Sequence, residues 1–482
     1  MLILVNANRM TPLVAPLGLE YVAGAARQAG VPTQIVDLAL AADPDAALRT
    51  ALSSVTPRLV GITFRNVDDS FWPSAQWFVP GLAETIRTIR SLTDAPIVLG
   101  GVGFSIFASK IIEFTGVEFG IRGDGEAAVV ALYHELAASR PRLESVQGLA
   151  WNDRAQVRTN SPAWSRAVAP PTTRDMIDNA AYFRLGGQGA VETKRGCERR
   201  CLYCADPLAR GARVRRRDPA AVADEFEALA AQGVDVLHLA DGEFNLPADH
   251  AMAVCEELIR RRLGDRVRWY AYLAVVPFDA ALAAAMKQAG CVGIDFTADS
   301  AAEAMLAMYR QPHRRQDVAT AVRLCREQGI AVILDLLLGG PGETPDTVAD
   351  TIGFVKSVGP DCAGAALGLR VYSGTPLADH LANMGVLETV PGIRRRYDGP
   401  VDFFRPTFYI APALGERPAS LVKDLVAGDP RFFEPVEDQP AGPAAGGGGY
   451  NYNDNTPLVQ AIAAGERGAY WDILRRLRGA GK

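Results

Sequence analysis

The stretch that decides the fold is Lys194-Arg-Gly-Cys197-Glu-Arg-Arg-Cys201-Leu-Tyr-Cys204-Ala-Asp-Pro207. Its C-x3-C-x2-C core holds three of the chain's seven cysteines. Cys255, Cys291, Cys325 and Cys362 are scattered singly and read as small buried hydrophobes. Seven cysteines in 482 residues do not make a disulfide framework. Three thiolates on one short loop can grip three corners of an iron–sulfur cube and leave the fourth iron open. The alternatives are a zinc site or three unrelated cysteines. A Cys3His zinc site needs a nearby histidine, and the next in the chain is His238.

The loop follows a predicted strand at Gly189–Thr193. From about 190 to 378 further strands are predicted near Val234–Leu239, Trp269–Leu273, Gly293–Ala298, Val332–Leu338 and Gly364–Val371, separated by helical segments. Six such units suggest a partial (β/α)6 barrel over 187–380. At the mouth of such a barrel an open iron can be chelated by the amino and carboxylate groups of S-adenosylmethionine. An electron from the cluster can then cleave the carbon–sulfur bond and release a 5′-deoxyadenosyl radical.

Upstream, residues 1–147 alternate strands (Leu2–Val5, Thr33–Val36, Leu59–Phe64, Ile97–Leu99, Val117–Ile121) with helices such as Leu17–Ala29 and Glu126–Ala138. This pattern predicts an α/β fold with a doubly wound parallel sheet, whose ligands sit at the carboxyl ends of the strands. Residues 148–186 read as a hairpin and a Pro-rich linker, and 381–482 as a mostly helical extension. That extension includes the Gly-rich Pro440–Gly449 and a helix-like Pro457–Leu477. With 49% hydrophobic and 22% charged residues, the chain falls in the ordinary globular class. A net charge of −5 gives no global electrostatic case for nucleic acid. There is neither a signal-peptide start nor an apolar run of ~18 residues, so a cytoplasmic protein without a membrane span is expected.

Over 190–378 the chain resembles the radical S-adenosylmethionine superfamily. The cysteine loop, with aromatic Tyr203 before its last cysteine, carries the resemblance, and later segments agree in order. Ala240-Asp241-Gly242-Glu243 stands where the family has a Gly-Gly-Glu-like turn, whose backbone holds the methionine amino group. Here Asp241 replaces the first Gly. Phe296-Thr-Ala-Asp299-Ser300 matches a position where an acid and a Ser contact ribose and carboxylate. The adenine-packing segment is matched by Leu336-Leu-Leu338-Gly-Gly340-Pro-Gly-Glu-Thr344. Arg370-Val-Tyr372-Ser-Gly-Thr-Pro-Leu377 is similar to the sixth-strand ending of the cobalamin branch. The resemblance implies Cys197, Cys201 and Cys204 as cluster ligands, with Tyr203, Asp241, Gly242, Glu243, Asp299, Ser300 and Leu338 around S-adenosylmethionine.

The N-terminal region resembles the cobalamin-binding domain of that branch. The matching segments are Pro16-Leu-Gly-Leu-Glu-Tyr-Val-Ala23, Val60-Gly-Ile-Thr63, Val98-Leu-Gly-Gly101 and Gly120-Ile-Arg-Gly-Asp-Gly-Glu126. Small residues at strand ends let the backbone approach a large planar ligand. The resemblance implies cobalamin contacts at Thr63, Asn66, Gly100, Gly101, Gly103, Gly123, Gly125 and Glu126. The Asp-x-His-x-x-Gly ligand motif of many cobalamin domains is absent, and none of the five histidines lies on a strand-end loop of this domain. Phe64-Arg65-Asn66-Val67-Asp68-Asp69-Ser70 stands where the lower corrin face would lie. One reading places Arg65 near the cobalt as the catalytic cation, discouraging a further ligand and favouring Co(I). The other pairs Arg65 with Asp68 or Asp69 as an ordinary loop ion pair.

The basic run Arg210-Gly-Ala-Arg213-Val-Arg-Arg-Arg217 reads as a solvated face or an anion clamp rather than a nucleic-acid site. The resemblance implies an enzyme with a 4Fe-4S cluster, S-adenosylmethionine and cobalamin, served by an external flavodoxin- or ferredoxin-type electron donor. Its expected activity is methyl transfer to carbon of a small-molecule substrate, by a radical route or by polar attack of an electron-rich ring. A non-methylating rearrangement or ring contraction, or a cobalamin-binding sensor, are the alternatives.

Overall fold

The computed structural model describes residues 1–482 apart from 155, 166, 167, 169, 171, 172, 437–450 and 481–482. The Gly-rich Pro440–Gly449, Tyr450 and part of the Pro-rich linker therefore lie outside the described residues.

The apolar run Leu2–Asn6 is buried throughout, as a parallel strand covered on both faces must be. It lies between Thr33–Asp37 and Leu59–Thr63, and Ile97–Gly100 and Phe119–Ile121 continue the parallel sheet. The point where the strand order reverses is therefore between Leu2–Asn6 and Leu59–Thr63, where such sheets bind ligands. Side chains alternate between two apolar layers. Leu2 and Leu4 pack with Leu19, Ala23, Val129 and Leu132 on one face, and Ile3 and Val5 with Leu82, Ile86 and Ile111 on the other. The hairpin Leu149–Asp153 and Gln156–Thr159 adds two antiparallel strands to this sheet, which thus runs past residue 147.

The second sheet is parallel throughout. Gly189–Val191, Val236–Leu239, Arg268–Ala274, Cys291–Asp299, Ala331–Leu338 and Cys362–Leu367 follow one another in space as in sequence. These are the six barrel strands expected. A seventh short strand, Phe432–Phe433 from the extension, pairs beyond the last. Ile294, Phe296 and Ala298 are core residues on one face of their strand, so Asp295, Thr297 and Asp299 share the opposite, luminal face. Registers Tyr272↔Asp295 and Thr297↔Asp335 carry that polar face across three strands.

The extension combines helices with a strand, Thr407–Tyr409, that pairs antiparallel with Ile393–Arg395 and with Leu369–Arg370 at the end of the barrel region. Its last helix, Tyr470–Ala480, packs at the barrel, where Tyr270 Oη donates to Asp472 Oδ2 at 2.8 Å. A Cβ on Gly293 would stand 3.0 Å from the Trp471 ring, so this helix fills the lumen at the Gly293 level. Cys255, Cys291, Cys325 and Cys362 are buried core residues. So are Phe404 and Tyr409 of the extension, while Phe403 is partly buried against the core.

Candidate active site

Two short strands, Lys194–Arg195 and Arg215–Arg216, pair antiparallel and carry the cysteine loop between them. Gly196 has φ +84°, and a Cβ there would lie 2.2 Å from Arg213 O, so only glycine turns the chain into the loop. Cys197, Cys201 and Cys204 are half-buried. Backbone N–H of Asp206 donates to Cys204 Sγ at 3.4 Å, and Gln311 Nε2 to Cys201 Sγ at 3.5 Å. Donors aimed at sulfur are what a thiolate-held cluster needs. Burial pushes the Cys201 thiol up to about 12. Among the described residues, no three Cys, His, Asp or Glu side chains converge on a point that would hold a single ion. A cube takes its thiolates at separate corners, and three thiols on one loop with donors aimed at two of the sulfurs suit it.

Tyr203 Oη donates to both Asp299 oxygens at 2.8 Å, and Gln311 Nε2 donates to Asp299 Oδ2 at 2.6 Å. Burial raises Asp299 to about 6, against the pull of those donors. Its φ of +58° is a strained conformation for a non-glycine residue, held at the end of a barrel strand. Glu243 Oε1 accepts from Thr297 Oγ1 at 2.8 Å, while its Oε2 is buried with no hydrogen-bond partner. Burial lifts Glu243 to about 8, and its charge is felt at Cys197 and Cys201. Tyr203, Asp299, Glu243 and the three cysteines thus form one cluster of donors and acids, suited to an aminoacyl and ribose-bearing cosubstrate.

A cavity of about 530 Å³ lies between the two sheets. The first domain lines it with Asn6, Thr63, Arg65, Gly100, Gly101, Gly123, Gly125 and Glu126 at strand ends. The barrel contributes Glu192, Arg195, Arg210, His238, Asp241, Gly242 and Tyr272. Gly101 (φ +107°) could not carry a Cβ, which would meet Phe64 O at 2.6 Å. Backbone-floored strand ends facing a mixed polar and apolar wall fit a large planar ligand such as a corrin.

The loop after Leu59–Thr63 decides between the two readings of Arg65. Asp68 is spent on Arg370, whose Nε donates to it at 2.8 Å, and Asp69 accepts from Ser74 and from backbone N–H of Phe71 and Gln76. Arg65 therefore has no carboxylate partner among the described residues. Its Nη1 is buried without a hydrogen-bond partner, and burial lowers its pKa from the ordinary value. The loop ion pair is overturned, and Arg65 is left as an unpaired cation on the cavity wall.

Several expected contacts are placed elsewhere. Glu126 reaches the cavity wall, but its carboxylate is bound by both terminal nitrogens of Arg195, at 2.6 and 3.1 Å. Gly103 donates its N–H to Arg65 O at 2.8 Å and stands behind the Arg65 loop as a close-packed spacer. Asn66 is not among the lining residues. Ser300 is 1% exposed, with its hydroxyl turned inward to Thr351 at 2.9 Å. Leu338 is fully buried and offers a substrate no side-chain surface. Asp241 does line the cavity, and its carboxylate accepts from Thr193 N and Oγ1 at 2.7 and 2.5 Å, bracing the strand end that launches the cysteine loop.

Residues 191–355 match the Radical SAM superfamily, and residues 3–133 match the B12 binding domain. The Tryptophan 2-C-methyltransferase of Streptomyces laurentii is 29% identical over 97% of this chain and 94% of its own length. The structure of the radical S-adenosylmethionine methyltransferase TsrM from Kitasatospora setae, with tryptophan substrate and a SAM analogue bound, superposes with a TM-score of 0.89. It is 30% identical and covers 100% of this chain and 99% of that one. The cobalamin-dependent radical enzyme OxsB shares the fold, with a TM-score of 0.70 at 17% identity over 85% of this chain and 64% of that one. The chain belongs to the cobalamin-dependent radical S-adenosylmethionine methyltransferases.

As a member of that family, this methyltransferase joins its two domains through buried charge. Arg174 donates to Glu20 at 2.8 Å and to Glu225 at 2.9 Å, Arg217 binds the other Glu225 oxygen, and Tyr21 Oη donates to Glu225 at 2.7 Å. Arg215 is paired with Asp124 of the first domain, and Arg210 with Asp206 at 3.2 Å. The basic run is therefore solvated only in part: Arg213 and Arg216 are exposed, whereas Arg215 and Arg217 are buried and clasp the cysteine loop against Asp124 and Tyr21 of the first domain. His238 is a cavity residue that motif reading passed over. Its Nδ1 lies 2.9 Å from Leu239 O, and burial lowers its pKa to about 4, so it faces the cavity as a neutral ring. The signal available was its position two residues before Ala240, on the luminal face of the same strand. Among the described residues, no helix is long and apolar enough to cross a membrane.

Proposed function

We propose that this methyltransferase places the methyl group of S-adenosylmethionine on an indole ring carbon, that tryptophan is its substrate, and that the transfer is polar. The substrate reading is supported by two relatives that span nearly the whole chain, one named for tryptophan 2-C-methylation and the other solved with tryptophan substrate. The observation that carries the polar route is Arg65, a desolvated cation without a carboxylate partner at the cavity wall. When bound, the cluster anchors S-adenosylmethionine and the corrin carries the methyl group.

Cys197, Cys201 and Cys204 hold the cluster, with Tyr203, Asp299 and Gln311 as a pre-bonded wall beside it. The strand-end glycines Gly100, Gly101, Gly123 and Gly125 floor the corrin pocket. With a corrin bound in the cavity, Arg65 would supply a fixed positive charge at its wall, which would favour giving up the methyl group as a cation equivalent. An electron-rich indole carbon would accept such a group without prior hydrogen abstraction, the carrier keeping the bonding electron pair and the ring then losing its proton to solvent as aromaticity returns. His238, neutral and bonded to Leu239 O, adds no charge to that wall. Tyr272, more than a third exposed toward the cavity, offers an aromatic face on the barrel side. An external flavodoxin- or ferredoxin-type donor and a cytoplasmic setting complete the proposal.

The test is incubation of the cofactor-loaded protein with S-adenosylmethionine and tryptophan, read by mass spectrometry. Tryptophan gaining one methyl on its indole ring supports the reading. Recovery of unmodified tryptophan, with the cluster and corrin spectra intact, overturns it.

A further inference from the structure

Beside Tyr272 the barrel lumen holds two carboxylates on adjacent strands. Asp295 lies in Cys291–Asp299 and Asp335 in Ala331–Leu338, and because Asp335 is the register partner of Thr297 the two acids are diagonal neighbours on the luminal face. Asp295 is 2% exposed, yet its Oδ1, like that of Asp335, has no hydrogen-bond partner. No ion pair among the described residues involves either. The charges that act on them are acidic as well: Glu243 on Asp295, and Asp299 on Asp335. A buried like-charge pair with no resident cation is costly to a fold and is expected where function requires it.

The surroundings say what would neutralise it. Tyr272 is the direct register partner of Asp295, and the extension brings Tyr452 close enough to feel both carboxylates. Thr297, the register partner of Asp335, donates to Glu243 beside the cluster. A ligand with an aromatic ring against Tyr272 and a cationic tail would therefore lie within one molecule's length of the cofactor site.

We infer that the Asp295–Asp335 pair is the subsite for the substrate's protonated amine, with Tyr272 and Tyr452 as its aromatic walls. The inference rests on the amino-bearing aromatic substrate of the preceding reading. It assigns selection to the pair: an aromatic amine is accepted, and its des-amino analogue, which leaves the carboxylates unpaired, is rejected.

The experiment compares wild type with the isosteric double variant Asp295→Asn/Asp335→Asn, both loaded with cluster and cobalamin and matched by visible spectrum. S-Adenosylhomocysteine formation is followed against tryptophan, indole-3-propionate and S-adenosylmethionine concentration. The double variant is expected to raise the KM for tryptophan by about tenfold or more, to leave the KM for S-adenosylmethionine unchanged, and to lose the preference for tryptophan over indole-3-propionate. An equal change for tryptophan and its des-amino analogue, or a change confined to S-adenosylmethionine, overturns the assignment. Equilibrium binding of tryptamine keeps this test separate from the identity of the substrate. If wild type does not methylate tryptophan, the substrate reading fails. Tryptamine binding that is lost in the double variant still upholds the amine subsite, and equal binding to both proteins refutes it.

Discussion

Asp68 and Arg370 stand 302 positions apart in the chain and form a buried ion pair, with Arg370 Nε donating to Asp68 Oδ2 at 2.8 Å. The pair ties the loop carrying Arg65 to the end of the sixth barrel strand. Ser70 and Tyr372 repeat the link, their hydroxyls 2.7 Å apart. Removing one partner leaves an uncompensated buried charge. We expect Asp68→Asn to cost about 3–5 kcal/mol, softened by the carbonyls of Val371, Thr407 and Phe403 that Arg370 also reaches. Urea unfolding measures the cost. The same variant should retain cobalamin less well, because the Arg65 loop loses its anchor.

Arg65 itself is predicted to matter for chemistry more than for folding, since among the described residues it makes no side-chain ion pair whose loss would cost stability. Arg65→Leu should leave the unfolding midpoint unchanged or higher, because a desolvated cation is removed from the wall. Methyl transfer should fall by about a hundredfold, the scale of losing one preorganised charge at a reacting centre. Parallel urea curves and turnover assays separate the two effects.

The domain clasp predicts a different pattern. Glu225 is fully buried and serves Arg174, Arg217 and Tyr21 together. Glu225→Gln halves the compensation of two guanidiniums and should destabilise by about 3–5 kcal/mol, with or without cofactors. Differential scanning calorimetry of the apo and loaded proteins checks this. A loss confined to the loaded form would contradict it.

His238 sets an acid limit. Its pKa falls from the usual 6.5 to about 4 on folding, chiefly through burial. Between those values the unfolded chain binds the extra proton, so this residue's stabilisation is complete above pH 6.5 and is lost as pH falls through 4. Relative to His238→Phe, wild type should therefore lose stability between pH 6.5 and 4. The difference between the two urea midpoints across that window measures the effect.

Much of the architecture was legible because local pattern and topology agreed. The apolar runs at 2–5, 59–64, 97–99 and 332–338 alternate with helical segments and so read as strands of parallel sheets, and the cysteine spacing marked the first barrel loop. Helices Val102–Ile106 and Ala108–Thr115 were missed because Gly-Phe-Ser-Ile-Phe-Ala-Ser-Lys-Ile-Ile-Glu-Phe is rich in aromatic and β-branched residues. Tertiary packing overrides that propensity. Pairings were the least legible part of the site. Nothing local shows that Asp68 answers Arg370, that Glu126 answers Arg195, or that Ser300 turns to Thr351, since each bond joins segments brought together only by the fold. The Asp295–Asp335 pair was hidden for a related reason. Each acid alone reads as an interruption in an apolar strand, and only the register between strands places them together.

The central claim is polar methyl transfer in a cavity whose wall carries an unpaired arginine. The measurement that tests it most directly is the ratio of S-adenosylhomocysteine to 5′-deoxyadenosine formed per methylated tryptophan by the loaded wild-type protein. The account predicts about one S-adenosylhomocysteine per product and no deoxyadenosine above the substrate-free background. Deoxyadenosine formed in step with methylated product would contradict it, and would assign hydrogen abstraction to this site.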